Sequence, residues 1–286
     1  MALGTEARRL PSRGAAPGRG WRAMPGARAL LARLVVVAAV LGLWQLLTAT
    51  HALSATAFPT MTSTISTLGA QLRTAACWTT IGETLEGWGA GIALGGVAAI
   101  VIGAAIGLSR FAYRSTIPVI EFLKTVPVVA ILPLAIVLYG TRFSLKLFLV
   151  SFGVFFPLVI QVVYGVRSVD PTVADTAASL QVKGVRRFFV VVLPSAAPFV
   201  ATGLRIGAAS ALVIEIICEL IGGAAGLGLR ILDAENAGVS ALPVIYAYVL
   251  ISGLVGIVLT GTFTLLEKRA LHWHESQRHL AAAAAR

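Results

Sequence analysis

Residues 170–194 read DPTVADTAASLQVKGVRRFFVVVLP. Asp170-Pro171 is an N-cap followed by proline at the first helical position. Gly184 is placed to end the helix in a left-handed cap. Val173, Ala177 and Leu180 fall at i, i+4 and i+7 and make a narrow apolar stripe. Arg186 and Arg187 follow, and the chain then returns to apolar sequence. A short polar helix, about residues 171–182, therefore interrupts a chain that is otherwise greasy.

How greasy follows from composition. Of 286 residues, 57% are hydrophobic and 12% are charged, with mean hydropathy +0.88. A soluble domain carries about 25% charged residues and needs polar surface. Lipid must supply much of the solvent here. The expected fold class is an all-α integral membrane protein. The net charge of +11, from 23 Lys+Arg against 12 Asp+Glu, would suggest nucleic acid in a soluble chain. These bases instead sit at segment ends and in the N-terminal stretch, where they meet headgroups of the lipid bilayer. No nucleic-acid partner is expected. Cys77 and Cys218 lack metal-ligand spacing and read as unpaired, and no metal site is expected.

A span needs ~20 mainly apolar residues. Six candidates occur, at 30–49, 84–108, 116–140, 146–166, 195–221 and 241–266. Residues 1–28 read as a disordered basic tail. Residues 29–80 hold the first span and an amphipathic segment, 60–76, expected at the membrane surface. Residues 81–273 form a core of five spans, and 274–286 a C-terminal tail. Pro198 raises the alternative of two spans in 188–229, but a seventh span would put Lys268 and Arg269 outside. With both termini in the cytoplasm, only Arg73, Arg142, Lys146 and Arg230 fall outside and only Lys124 and Arg205 within spans. The rest of the 23 bases lie inside, as the positive-inside rule requires. Residues 167–190 are thus expected in the cytoplasm. In the second span, Gly91/Gly95 and Gly103/Gly107 have the spacing that lets helix backbones approach closely, within a subunit or between subunits.

No G-x-x-x-x-G-K-[ST] is present, so no phosphate-cradling loop is expected. No H-E-x-x-H or G-x-S-x-G is found, and the twelve acids are scattered. An enzymatic role for the chain is therefore not expected. His272 and His274 read as interfacial polar residues. Glu121 and Lys124, three residues apart near the inner end of the third span, are explained by mutual pairing or snorkelling.

The polar stretch resembles the EAA loop of ABC-importer permeases, E-A-A-x3-G-x9-I-x-L-P. Counting back from Leu193-Pro194, Val191 takes the Ile place, Gln181 the Gly place and Asp175-Thr176-Ala177 the E-A-A. Asp for Glu, Thr for Ala and Gln for Gly are departures. The flanks EFLKTVPVVAILPLAIVLYG (121–140), FFPLVIQVVYGVRSVDP (155–171), LPSAAPFVATGLRIGAASA (193–211) and ELIGGAAGLG (219–228) occur in family order. Together, from about Phe58 to Trp273, they resemble the nitrate/sulfonate/taurine-type permeases of the bacterial inner membrane.

The resemblance implies a type I ABC-importer permease architecture with six transmembrane helices. The polar segment would be a coupling helix docked on a cytoplasmic ABC ATPase dimer that carries ATP and Mg. Asp170, Pro171, Val173, Asp175, Ala177, Ala178, Leu180, Gln181, Lys183 and Gly184 are its candidate residues, with Ala177 and Ala178 keeping the contact surface low. No cofactor is expected on the chain itself. An extracytoplasmic substrate-binding protein would meet 51–78 and the Gly-rich outer loop 222–240. A second copy of the chain would complete the pathway as a homodimer. Glu219, seven residues before Gly226-Leu227-Gly228, matches a family acid and is expected at the outer end with Arg230 as partner. Glu215 is a pathway candidate. Two acids beside a pore would weigh against an anionic solute. Arg205 is expected to pack against the coupling region. The rival is a secondary transporter driven by an ion gradient, which would want inverted repeats and broken helices at the midplane.

Overall fold

The computed structural model describes residues 26–54 and 56–271, and these are helices joined by turns. The chain runs through α1 (Gly26–Ala49), α2 (Met61–Leu72), α3 (Ala75–Leu108), α4 (Arg110–Leu123), α5 (Val128–Tyr139) and α6 (Phe143–Arg167). Then follow α7 (Pro171–Ser179), α8 (Gly184–Arg187), a π-helical turn (Phe188–Val192), α9 (Leu193–Gly222), α10 (Leu227–Asn236), a 3-10 turn (Val239–Ala241) and α11 (Leu242–Ala270). Hydroxyl caps begin three of the early helices. Thr60, Thr74 and Ser109 accept from the backbone N–H groups of Ser63, Cys77 and Ala112, which satisfies donors that a helix start leaves open.

Among the described residues, five helical units are long and apolar enough to cross a membrane, and six if α4 and α5 count as one. The all-α membrane architecture is therefore as read, with two corrections. The third span is not a single rod: α4 and α5 meet at 86°. The break falls at Lys124-Thr125-Val126-Pro127, because the residue before proline is pushed out of the helical region. The second span also starts earlier than read. α3 has 34 residues and is ~51 Å long, against ~30 Å of hydrocarbon. α9 passes unbroken through Pro198, so the single-span reading of that stretch holds. The terminal segments 1–25 and 272–286, with His272 and His274, lie outside the described residues.

The body is built from α3, α6 and α9. Ala99, Val150, Val154, Leu158, Val159, Val162, Val163, Ala196 and Ala211 form its buried centre. Gly91, Gly95, Gly103 and Gly107 all face α6. A Cβ at Gly95 would sit 2.5 Å from the Ser151 carbonyl oxygen, and one at Gly103 or Gly107 2.8 Å from the Cβ of Val162 or Val166. Ser151 Oγ donates to the Gly91 carbonyl at 3.1 Å. The seam is thus a close contact inside one chain, of the kind that drives association in lipid.

α2 is more firmly held than a surface helix. Met61 and Thr64 are buried, and the Tyr248 hydroxyl of α11 donates to Gln71 Oε1 at 3.2 Å. α10 occupies the stretch read as a Gly-rich loop, with Leu227, Ile231 and Ala234 packed inward. Asp233 and Glu235 stay exposed. α1 stands apart: Leu34, Val36 and Val40 are exposed, and its polar tie is Gln45 Oε1 accepting from the Thr62 N–H and hydroxyl.

Candidate functional site

Two places in the bundle gather polar chemistry, one at the α7 end and one at the α10 end. At the α7 end, α7 is capped at both termini. Thr172 N–H donates to Asp170 Oδ1 at 2.7 Å, and hydrogen bonding from Thr172 holds the Asp170 carboxyl below its usual range. Pro171 occupies the first helical position. The far end differs from expectation. The helix stops at Ser179, and Gln181, not Gly184, carries the left-handed residue of the cap (φ +56°). Val182 N–H reaches the Ala177 carbonyl at 2.9 Å and Gln181 N–H the Ala178 carbonyl at 3.0 Å, which is a Schellman closure. Gly184 also has positive φ (+57°), but it opens α8. The Gly of the EAA pattern therefore marks a backbone need that Gln181 meets here with strain.

The apolar stripe of α7 is divided between two jobs. Ala177 is 6% exposed, turned into the chain beside Val190 and Val191 of the π turn. It is not surface available to another protein. Val173 (47%) and Leu180 (72%) remain open, with Val185 beyond them. Asp175, Ala178 and Lys183 are exposed as well. Upstream, Arg167 ends α6, donates to the Gly107 carbonyl at 3.3 Å and stacks over Tyr113 at 4.1 Å. The chain entering α7 is thus tied to the ends of α3 and α4, and the chain leaving it runs through the π turn into α9.

Lys124 and Glu121 form no ion pair. Glu121 accepts from the Tyr164 hydroxyl at 3.3 Å. Arg205 pairs with Glu267 of α11 at 3.5 Å, not with the α7 region.

At the α10 end lies a cluster that sequence reading missed. Lys146, counted as an outer-loop base, is 3% exposed. Its Nζ lies 2.7 Å from Glu215 Oε1 and 3.0 Å from Glu219 Oε1. It also donates to the carbonyls of Glu83 and Ala225, both at 2.8 Å. Glu219 Oε2 accepts from Gly228 N–H (2.9 Å) and the Thr84 hydroxyl (3.1 Å), and Thr84 Oγ1 accepts from Leu227 N–H (2.9 Å). The expected Glu219–Arg230 pair is therefore replaced. Arg230 approaches Asp233 (3.7 Å) and Thr80 (3.5 Å) instead. Both Glu215 and Glu219 are fully enclosed, so Glu215 does not stand open to a pathway within this chain. Two glycines make the room. A Cβ at Gly87 would lie 2.5 Å from Lys146 Cε, and one at Gly226 would run into the Glu219 carboxylate. The available signal was chemical: two acids four residues apart in an apolar span require a buried base.

The cluster stitches α3, α6, α9 and the start of α10 together. The two ends then divide by chemistry: a locked polar knot at one, and an exposed capped helix on a joint at the other.

Residues 91–272 match the family described as binding-protein-dependent transport system inner membrane component. A Bacillus subtilis protein named as the aliphatic sulfonates transport permease SsuC is 28% identical over 243 residues, 85% of this chain and 87% of that one. A Brucella abortus protein named as an ABC transporter permease is 32% identical over 185 residues, 65% of this chain and 73% of that one. The nitrate import permease NrtB of Synechocystis is 30% identical over 181 residues, 62% of this chain and 65% of that one. On the matched core, the broken and unbroken spans and the capped helix within it, this chain belongs to the inner membrane permease components of binding-protein-dependent ABC transport systems.

Proposed function

We propose that the chain is the permease subunit of an ATP-driven importer of a small anionic solute, of the sulfonate or nitrate kind, and that α7 is its coupling helix. The α7 end faces the cytoplasm and an ABC ATPase dimer holding ATP and Mg. The α10 end faces an extracytoplasmic substrate-binding protein. Two copies of the chain enclose the pathway. The observation that carries this is the construction of α7: a capped rod with Val173 and Leu180 open and Ala177 seated against the π turn that leads into α9. Such a rod presents a small apolar face to a groove. A rigid shift of it moves α6 and α9 directly. The charge rule supports the orientation. The relatives named for sulfonates and nitrate support the solute class. Glu215 and Glu219 are enclosed with Lys146 and put no open acid on the route, which removes the objection to an anion.

The break between α4 and α5 is a feature that a gradient-driven carrier would share. One experiment separates the two. The chain is reconstituted in proteoliposomes with its cognate ABC ATPase and binding protein. ATP-driven uptake of ethanesulfonate or nitrate is expected with wild type and is lost in Leu180→Glu. That substitution sits on an exposed residue and leaves insertion unchanged. Full uptake by Leu180→Glu, or uptake by the chain with no ATPase present, overturns the reading.

A further inference from the structure

We infer that the cavity beside the α4–α5 break is a binding station for a small oxyanion, with Lys124 supplying the charge and Gln161 an amide donor. The inference rests on the importer reading for its biological meaning and on the geometry below for its chemistry. The cavity holds about 380 Å³ and lies between the break, α6 and α9, within the usual size range of small-molecule sites. Its lining contains one charged side chain, Lys124, and one amide, Gln161, with apolar walls that include Pro157, Ile160 and Ile206. Among the described residues, no carboxylate lines it.

The neighbouring charges are already engaged. Glu121, one turn before Lys124, takes the Tyr164 hydroxyl. Arg205, between the lining residues Gly203 and Ile206, is held by Glu267. The Thr125 hydroxyl spends its proton on the Phe122 carbonyl at 2.6 Å. Among the described residues Lys124 has no ion pair and the Gln161 side chain no hydrogen bond. Lys124 is exposed at the break and Gln161 is half-buried on α6, so both side chains are free to turn their N–H donors toward a ligand with acceptor oxygens. A sulfonate or nitrate offers several such oxygens at one negative charge, and the apolar walls suit a short alkyl group. Gly203 keeps Gln161 in place, since a Cβ there would stand 3.0 Å from that of Gln161. Gln161 lies six residues before the end of α6, ~9 Å along the axis. The station is therefore close to the stroke of α7.

A phosphate headgroup shares this chemistry, so the test separates the two sources. The full-length chain is placed in phosphatidylcholine nanodiscs. Acylation of Lys124 by a lysine reagent is followed by mass spectrometry during titration with sodium ethanesulfonate or nitrate, against sodium chloride at constant ionic strength. Ethanesulfonate and nitrate are expected to protect Lys124 at concentrations where chloride does not. Gln161→Leu should weaken that protection by about tenfold, the loss of one hydrogen bond to a charged group. Should Gln161→Leu fail to insert, the order of the three anions on wild type decides alone. Equal protection by chloride, no protection, or an unchanged Gln161→Leu overturns the station. Protection that appears only in phosphatidylglycerol discs, and that soluble anions do not alter, assigns the occupant to lipid and overturns it too. In the proteoliposome assay, Lys124→Met should raise the half-saturating solute concentration and Lys124→Arg restore it. Wild type without ATP-driven uptake would sink the importer reading, while the acylation result would still judge the station.

Discussion

Replacing Lys146 by Met is the sharpest test of how the α10 end is held. Met keeps most of the aliphatic bulk and removes the charge. Two carboxylates are then left facing each other with no base, both on fully buried side chains. Removing one partner of a buried ion pair costs about 3–5 kcal/mol. The carbonyls of Glu83 and Ala225 also lose their donor, at ~1 kcal/mol or more each. Protonation of one glutamate limits the damage, so ~4 kcal/mol is the working figure. That is about a thousandfold in the opening equilibrium of this end. The molecule carries its own reporters. Cys218 lies one residue before Glu219, and Cys77 lies in the apolar cluster beneath α10; both are buried and unpaired. Maleimide labelling of detergent-solubilised wild type should be slow, and Lys146→Met should label faster by two to three orders of magnitude, roughly as the opening equilibrium shifts. The triple variant Lys146→Met, Glu215→Gln, Glu219→Gln removes the charges together and should recover much of the protection. Labelling of Lys146→Met at the wild-type rate would refute the claim that this cluster holds α10 to the bundle.

Three further outcomes follow from the geometry. Gln181→Gly should stabilise the end of α7 by about 1 kcal/mol, because Gly carries no Cβ penalty at positive φ; hydrogen exchange at Val182 N–H reads it, and faster exchange would contradict the strain. The Asp170 cap should be pH-dependent. Its carboxyl is held below the usual range, so the cap contributes fully above that range and fades as pH falls through the depressed value; Asp170→Asn should keep α7 protected on acidification where wild type frays. Gly95→Val should cost about 1–3 kcal/mol by wedging α3 off the Ser151 backbone, whereas Gly89→Val, with open space around it, should leave the thermal midpoint near wild type.

What was readable in the chain was what depends on neighbours in sequence. Lipid-length apolar runs, the Asp170-Pro171 start and the small-residue spacing of α3 are local patterns, and the structure carries each of them, although α3 starts earlier than its apolar run and the third run is bent. The Lys146 knot was not readable because its partners come from α3, α6, α9 and the α9–α10 turn, and a base near a span end looks like an ordinary loop charge. Counting apolar residues cannot see a bend, so residues 116–140 passed for one rod, although Val126-Pro127 carried the warning. α10 was hidden by its glycines, yet Leu227, Ile231 and Ala234 have helical spacing. Gln181 shows a different limit: the pattern's Gly records a backbone angle, not an identity, and another residue can adopt that angle at a cost.

The π turn between α8 and α9 holds a consequence of its own. Leu193 N–H reaches back five residues to the Phe188 carbonyl, so one surplus residue is wound into that coil. A residue in an α-helix turns the axis by ~100°. The surplus therefore acts as an azimuthal offset, fixing which compass bearing the Val173–Leu180 edge takes relative to the spanning column it precedes. Excising a single residue there would leave every contact within the rod intact and swing its open edge a quarter-turn or more from its present bearing.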